Sequence, residues 1–182
     1  MSAGRVRRSP PEYFTEDALI GKHHIMSDRY ILDTCAFLTQ NHPEGEIATI
    51  PEIESELNNR QSKQYFTNMR EIGLKITEPN VDSIEKIRIN SKETGDLGVL
   101  SSIDLKILAL AYEMRGTIVS DDFAIQNVAL HMGVEFTSCS GNEIKELRKW
   151  KYRCSACRAE ALEKVDSCSV CGSEKIFRFK AK

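Results

Sequence analysis

Thr117-Ile118-Val119-Ser120-Asp121-Asp122-Phe123 is the stretch on which the reading of this chain turns. Four residues suited to a strand, Thr117 to Ser120, run into two adjacent acids, and a helical period from about Phe123 to Met132 follows, stopped by Gly133. Upstream, Ser102 is placed to cap a helix whose apolar stripe is Leu105, Leu108, Ala109 and Tyr112, ended by Gly116. Downstream, Val134 to Phe136 reads as a further strand. The same alternation recurs toward the N-terminus. Tyr30-Ile31-Leu32-Asp33 is a short strand closing on an acid, a helix surrounds Ala36 to Gln40, and Glu46 to Ile50 is a second strand. Thr49 is placed to cap a helix with Pro51 in its first turn and Ile53 and Leu57 inward. Ile72 to Ile76 reads as a strand, and Val81 to Ser91 as a helix with Ile84, Ile87 and Val81 inward. A glycine-bearing loop, Thr94 to Gly98, then leads to Ser102. Short apolar strands alternating with helices predict an α/β fold, a parallel sheet flanked by helices.

In such a sheet the carboxyl ends of the strands converge on one crevice where the strand order reverses. Asp33 and Asp122 end two strands, Asp104 stands in the first turn of the helix opened by Ser102, and Glu56 lies on the helix after the second strand. Converging carboxylates repel unless a cation joins them, and oxygen ligands suit Mg²⁺ or Mn²⁺, which can activate water against a phosphodiester. Singly, each acid has a plainer use: Asp104 on a helix dipole, Asp122 as a cap, Glu56 on a solvated face. Asp121 is a rival to Asp122, since neighbours on an extended segment point oppositely. Glu54 is a rival to Glu56, about 200° away round a helix.

The C-terminus carries Cys154-Ser-Ala-Cys157 and, ten residues on, Cys168-Ser-Val-Cys171. Two such knuckles can surround one tetrahedral Zn²⁺, and a unit of about 30 residues needs that ion to fold. A disulfide pair is the alternative. No secretory signal is legible, so a cytoplasmic chain with reduced thiols is expected. Residues 143–182 hold eleven Lys and Arg against six Asp and Glu, whereas the other 142 hold fourteen against twenty-one. Lys151, Arg153, Arg158, Lys175 and Arg178 flank the cysteines, interleaved with Trp150, Tyr152, Phe177 and Phe179. Cations and flat rings together suit unpaired RNA, although one of the two phenylalanines is expected to pack the ribbon's small core. The reading divides the chain into a flexible basic tail (1–28, with Arg5, Arg7, Arg8 and the pair His23-His24), a main domain (29–142), a linker (143–150) and a zinc ribbon (151–182).

Ile31-Leu32-Asp33-Thr34, Glu56-Leu57, Ser101-Ser102-Ile103-Asp104 and Val119-Ser120-Asp121-Asp122-Phe123 together resemble a PIN-domain nuclease. With Asp122-Phe-Ala-Ile-Gln-Asn127 and the four-cysteine ribbon, the chain over roughly 29–178 is similar to the Nob family in its compact archaeal form, endonucleases that mature the 3′ end of small-subunit rRNA. The resemblance implies that Asp33, Glu56, Asp104 and Asp122 hold catalytic Mg²⁺ or Mn²⁺. It implies 16S precursor rRNA in a pre-30S-like or pre-40S-like particle as partner, together with other assembly factors. It also implies cleavage by water that leaves a 5′-phosphate and a mature 3′-hydroxyl. Gln126 and Asn127 are placed to orient water or backbone near the acids. Other functions stay open: a non-catalytic RNA-binding assembly factor, or a PIN nuclease with another RNA target.

Several classes are excluded or weakened. The longest apolar run, Ile107 to Tyr112, is too short for a membrane span. There is no Walker loop, and Gly95-Asp-Leu-Gly98 is too short for a dinucleotide fingerprint. His42 and His131 lack partners at ligand spacing, and Cys35 reads as a small buried hydrophobe, outside the knuckles like Cys139.

Overall fold

The computed structural model describes residues 29–181. The basic stretch 1–28, with its arginines and paired histidines, lies outside the described residues. The order of elements is β1 (Arg29–Leu32), α1 (Thr34–Thr39), β2 (Glu46–Thr49), α2 (Ile53–Glu56), α3 (Arg60–Glu71), β3 (Lys75–Ile76), α4 (Val81–Thr94), α5 (Ser102–Met114), β4 (Thr117–Val119), α6 (Phe123–Met132) and β5 (Phe136–Thr137). β1 to β5 form one sheet in the order β3-β2-β1-β4-β5. Every pairing in it is parallel, with Ile31 opposite Ala48 on one side and Ile118 on the other. Chain order therefore reverses between β1 and β4, and the crevice opens beyond their carboxyl ends.

The strands read as unbroken apolar runs because both faces are covered. Ile31, Leu32, Ile118 and Val119 are buried between Ile107, Leu108 and Ala111 of α5, Ile125 and Val128 of α6, and Phe37 and Phe66 from α1 and α3. Phe37 and Phe66 meet edge to face at 5.2 Å. Deleting one of these large side chains to alanine costs about 2–5 kcal/mol.

Several local expectations need correcting. Thr49 caps no helix: it ends β2, and its hydroxyl donates to the Leu32 carbonyl at 2.7 Å, stitching two central strands. α5 starts one residue earlier than expected, because Ser101 makes a reciprocal capping box with Asp104. Arg115, in the left-handed region at φ 51°, ends that helix before Gly116 is reached. Val81 is exposed, and only the end of the stretch 72–76 forms a strand. α3 has no counterpart in the reading of the sequence.

A second, antiparallel sheet follows, made of β6 (Trp150–Cys154), β7 (Glu160–Ala161) and β8 (Ile176–Lys180), with β6 in the middle. It is seated on the loop between α4 and α5. A Cβ at Gly98 would lie 2.7 Å from both the Tyr152 hydroxyl and the Lys164 Cβ, and one at Gly95 would strike the Trp150 carbonyl. Asp96, in the same loop, is 1% exposed. Arg178 of β8 donates to its Oδ1, and Asn127 of α6 donates to its Oδ2 at 2.6 Å. Segment 143–149, without helix or strand, is fastened down by α6. Gln126 accepts from Ile144 N at 2.9 Å, and Asn127 exchanges two hydrogen bonds with the Arg148 backbone. Gln126 and Asn127 thus orient backbone, as one of their expected uses required, and they do it for the connection to the ribbon.

The sole tryptophan reports on this seam, because Arg178 stacks 4.3 Å from the Trp150 ring. Asp96→Ala strips Arg178 and Asn127 of their shared acceptor, which costs roughly 3 kcal/mol for a buried pair. Tryptophan emission is expected to shift red and become more accessible to acrylamide, with the unfolding free energy lowered. Unchanged emission and stability would show that Asp96 does not hold the ribbon.

Candidate active site

The four acids read from the sequence meet beyond the carboxyl ends of β1 and β4, and three of them are anchored in the same way. Asp33 is the N-cap of α1: its Oδ1 accepts from Thr34 N at 2.7 Å, and its Oδ2 accepts from the Ser120 hydroxyl at 2.6 Å. Asp104 accepts from Ser101 N at 2.6 Å in the capping box that opens α5. Asp122 is the N-cap of α6, accepting from Ala124 N at 2.7 Å. Ser120 ties two of these together, since its oxygen also accepts from Asp122 N at 3.1 Å. Capping and site-building, posed as rival explanations by the sequence, are one arrangement here. Each helix N-terminus fixes an acid and offers it a partial positive charge.

Glu56 reaches the cleft from the last turn of α2, where the Thr34 hydroxyl donates to its Oε2. Glu54 is turned to solvent, 4.0 Å from Arg70, so Glu56 is the helical acid of the cleft. Asp121 also faces elsewhere. Its Oδ1 accepts from the Ser138 hydroxyl at 2.5 Å and from Ser140 N at 3.1 Å. Partial burial opposes ionisation of Asp121, but these bonds outweigh it and hold the carboxyl below its usual value. Asp122 is the member of the pair whose charge acts on Asp104.

The electrostatics are those of carboxylates drawn out of water beside other carboxylates. Burial, with Asp104 and Glu56 adding, pushes Asp33 up to about 6 against the hydrogen bonds from Ser120 and Thr34. Burial raises Asp104 too, with Asp122 and Glu56 contributing. Among the described residues, no three of these acids bring their oxygens within 4.8 Å of one another. As placed, no more than two of these carboxylates can reach one ion directly. That suits an ion such as Mg²⁺ that takes one or two carboxylates and keeps water on its remaining positions.

In the ribbon, Cys154, Cys157, Cys168 and Cys171 place their sulfurs within 4.8 Å of one another. Cys154 and Cys171 are 3.6 Å apart, and Cys157 and Cys168 are 3.5 Å apart. Backbone N–H groups of Cys157 and Ala156 pull the Cys154 thiol down to about 6, toward the thiolate that metals bind. Four sulfurs at this spacing are a donor set that fits Zn²⁺.

The basic residues expected to face RNA divide into two groups. Arg178 is committed inward to Asp96 and covers Trp150, so neither is on offer to RNA. Arg153 pairs with Glu160 at 2.6 Å and lies over the Phe179 ring at 4.1 Å, which makes Phe179 the packing phenylalanine of the two. Lys151 lies 3.5 Å from Glu160. Arg158, Lys175 and Phe177 are exposed. Thr34 and Asp96 are the functional positions that the sequence reading passed over. Thr34 carried a signal in directly following the strand-ending Asp33. Asp96 carried none, because its partners lie 31 and 82 residues away.

Residues 30–114 match the profile of the family described as PIN domain of ribonuclease. The chain is 30% identical to Endoribonuclease Nob1 of Archaeoglobus fulgidus, over 82% of this chain and 90% of that protein. It is 32% identical to Endoribonuclease Nob1 of Pyrococcus abyssi, over 80% of this chain and 90% of the relative. A stretch covering 53% of the chain is 31% identical to 22% of the 20S-pre-rRNA D-site endonuclease NOB1 of Saccharomyces cerevisiae.

The buried Asp33 makes stability depend on pH. Its carboxyl binds a proton more tightly folded (about 6) than unfolded (3.8), so the folded state gains protons and stability falls as pH rises through that window. At roughly 1.4 kcal/mol per unit, the fall is up to about 3 kcal/mol. Urea unfolding of zinc-loaded chain without added Mg²⁺ or Mn²⁺ is expected to show this decline between pH 4 and 6. Asp33→Asn is expected to flatten it; an equally steep decline in that variant would assign the effect to another group.

Proposed function

Given that this chain belongs to the Nob1 family of PIN-domain endoribonucleases, we propose that it is a Mg²⁺- or Mn²⁺-dependent endoribonuclease that matures the 3′ end of small-subunit rRNA. The observation that carries this reading is the convergence of Asp33, Glu56, Asp104 and Asp122 at the strand-order reversal, with Asp33 and Asp104 held above the usual carboxylate range. Burying like charges together is costly, and a divalent cation is the ordinary compensation. The names of its relatives supply RNA as the substrate class, and the yeast protein's name supplies 20S precursor rRNA.

These four acids would hold the ion or ions. A bound divalent cation supplies an activated water and stabilises the charge developing on the phosphodiester. The chain's own residues do the positioning. Ser120 and the Thr34 amide fix both oxygens of Asp33, the Thr34 hydroxyl fixes Glu56, and the Ser101 amide fixes one oxygen of Asp104. Hydrolysis by water leaves a 5′-phosphate on the downstream fragment and a 3′-hydroxyl on the mature rRNA. Zn²⁺ on the four cysteines keeps the ribbon folded. Exposed Arg158 and Lys175 and half-buried Lys151, with Phe177 at 46% exposure, contact a neighbouring single strand of the precursor particle. The work is placed in the cytoplasm with the pre-30S-like particle and its assembly factors.

Incubating the chain with an RNA spanning the 3′ junction and Mn²⁺ should yield one cut, mapped to the nucleotide, with an unrelated RNA left whole. Asp33→Asn should slow that cut by about 10³-fold, roughly 4 kcal/mol of transition-state stabilisation, while RNA affinity changes less than about twofold. Cleavage at the wild-type rate by this variant would remove the catalytic assignment. Cys168→Ser is expected to lose zinc and at least tenfold in RNA affinity. Undiminished binding without zinc would show that the ribbon does not grip RNA.

A further inference from the structure

One pair of reactive groups lies beside the acid cleft and apart from the zinc ribbon. Cys35, in the first turn of α1, and Cys139, just after β5, are separated by 104 residues in sequence but by 3.0 Å between sulfurs. Both are free thiols and half-buried. We propose that they are a redox-active dithiol, a modification site that hydrogen peroxide or an organic hydroperoxide converts to an intramolecular disulfide.

Their spacing separates this from a metal site. Two thiolates on one tetrahedral zinc, each at about 2.3 Å from it, lie roughly 3.8 Å apart. The ribbon's sulfurs approach that at 3.6 and 3.5 Å, whereas Cys35 and Cys139 stand well inside it, on the way to the covalent length of about 2.05 Å. Asp121 has a carboxylate oxygen within 4.8 Å of both sulfurs and would be the obvious third ligand. Its Oδ1 is already taken up by Ser138 and Ser140, the residues on either side of Cys139. It acts on the loop rather than on an ion. From the other side, Asn41 donates to the Cys139 carbonyl at 3.0 Å. The loop is thus held at both edges with its sulfur aimed at Cys35, which reduces the ordering cost of bond formation.

The chemistry balances with one peroxide. One thiolate attacks the peroxide oxygen, becomes a sulfenic acid and releases water or an alcohol; the second thiol attacks that sulfur and expels water. Two sulfurs are oxidised by one electron each, and the peroxide takes up both electrons. A small dithiol reverses the bond by exchange. The disulfide closes a loop of about 100 residues in the unfolded chain and so favours the folded state. It also ties the helix capped by Asp33 to the loop that anchors Asp121, next to Asp122.

The test uses the full zinc-loaded chain and equimolar hydrogen peroxide, followed by alkylation and non-reducing peptide mapping. The expected result is a Cys35–Cys139 cross-linked peptide, a mass loss of about 2 Da and zinc retained at one per chain. The Tm should rise by on the order of 10 °C and fall back after dithiothreitol. Cys139→Ser and Cys35→Ser should each give neither cross-link nor rise. Oxidation of either cysteine to sulfinic acid without a cross-link would overturn the proposal. So would an unchanged Tm in the cross-linked chain, or a second zinc per chain lost on Cys139→Ser.

Discussion

Burial of carboxylates beside one another is the constraint around which this molecule is arranged. A doubly covered parallel sheet puts the ends of β1 and β4 side by side, and the sequence places an acid at or just past each end. The fold holds this charge in place by giving Asp33, Asp104 and Asp122 the N-termini of α1, α5 and α6. Helix amides take one oxygen of each, and the helix dipoles offset part of the charge. Burial, with the neighbouring carboxylates adding to it, leaves Asp33 and Asp104 holding their protons more tightly than usual. Core packing in this protein is ordinary; the cleft is where local preference and burial conflict, and such conflict marks function more than stability.

A second polar constraint links the ribbon to this cleft. Asp96 sits in the loop that leads to the capping box of α5, five residues before Ser101. Its charge is met from two directions, by Arg178 of β8 and by Asn127 of α6. The loop that delivers Asp104 to the cleft therefore carries the ribbon on its outer side. Gly95 and Gly98 permit the close approach, and bulkier residues there would push β6 away. The ribbon is on these grounds a structural neighbour of the loop before Asp104 as well as a basic surface.

Much of this was legible in the sequence, for identifiable reasons. β1 and β4 stood out because strands covered on both faces are unbroken apolar runs ending on charge. α5 and α6 stood out because Gly116 and Gly133 follow clear apolar periods. α3 was invisible: of its twelve residues only Ser62, Phe66 and Met69 are buried, too few to rise above its polar majority. Thr49 was misread as a cap because a hydroxyl at a strand's end and one before a helix look alike in sequence. The four acids of the cleft could be named, Glu56 ahead of its rival Glu54, and the Thr34 hydroxyl beside Glu56 gives that choice its physical reason. The inward turn of Arg178 was beyond reach, since nothing local distinguishes an arginine that meets a buried acid 82 residues away from one that meets RNA.

Anomalous diffraction from crystals of the zinc-loaded chain soaked in Mn²⁺ tests the account most directly. A manganese peak about 2.2 Å from oxygens of Asp33 and Asp104, directly or through shared waters, with Glu56 and Asp122 around it, is the expected outcome. Manganese bound only elsewhere on the surface, with the cleft filled by water and its acids undisturbed at saturating metal, would contradict it.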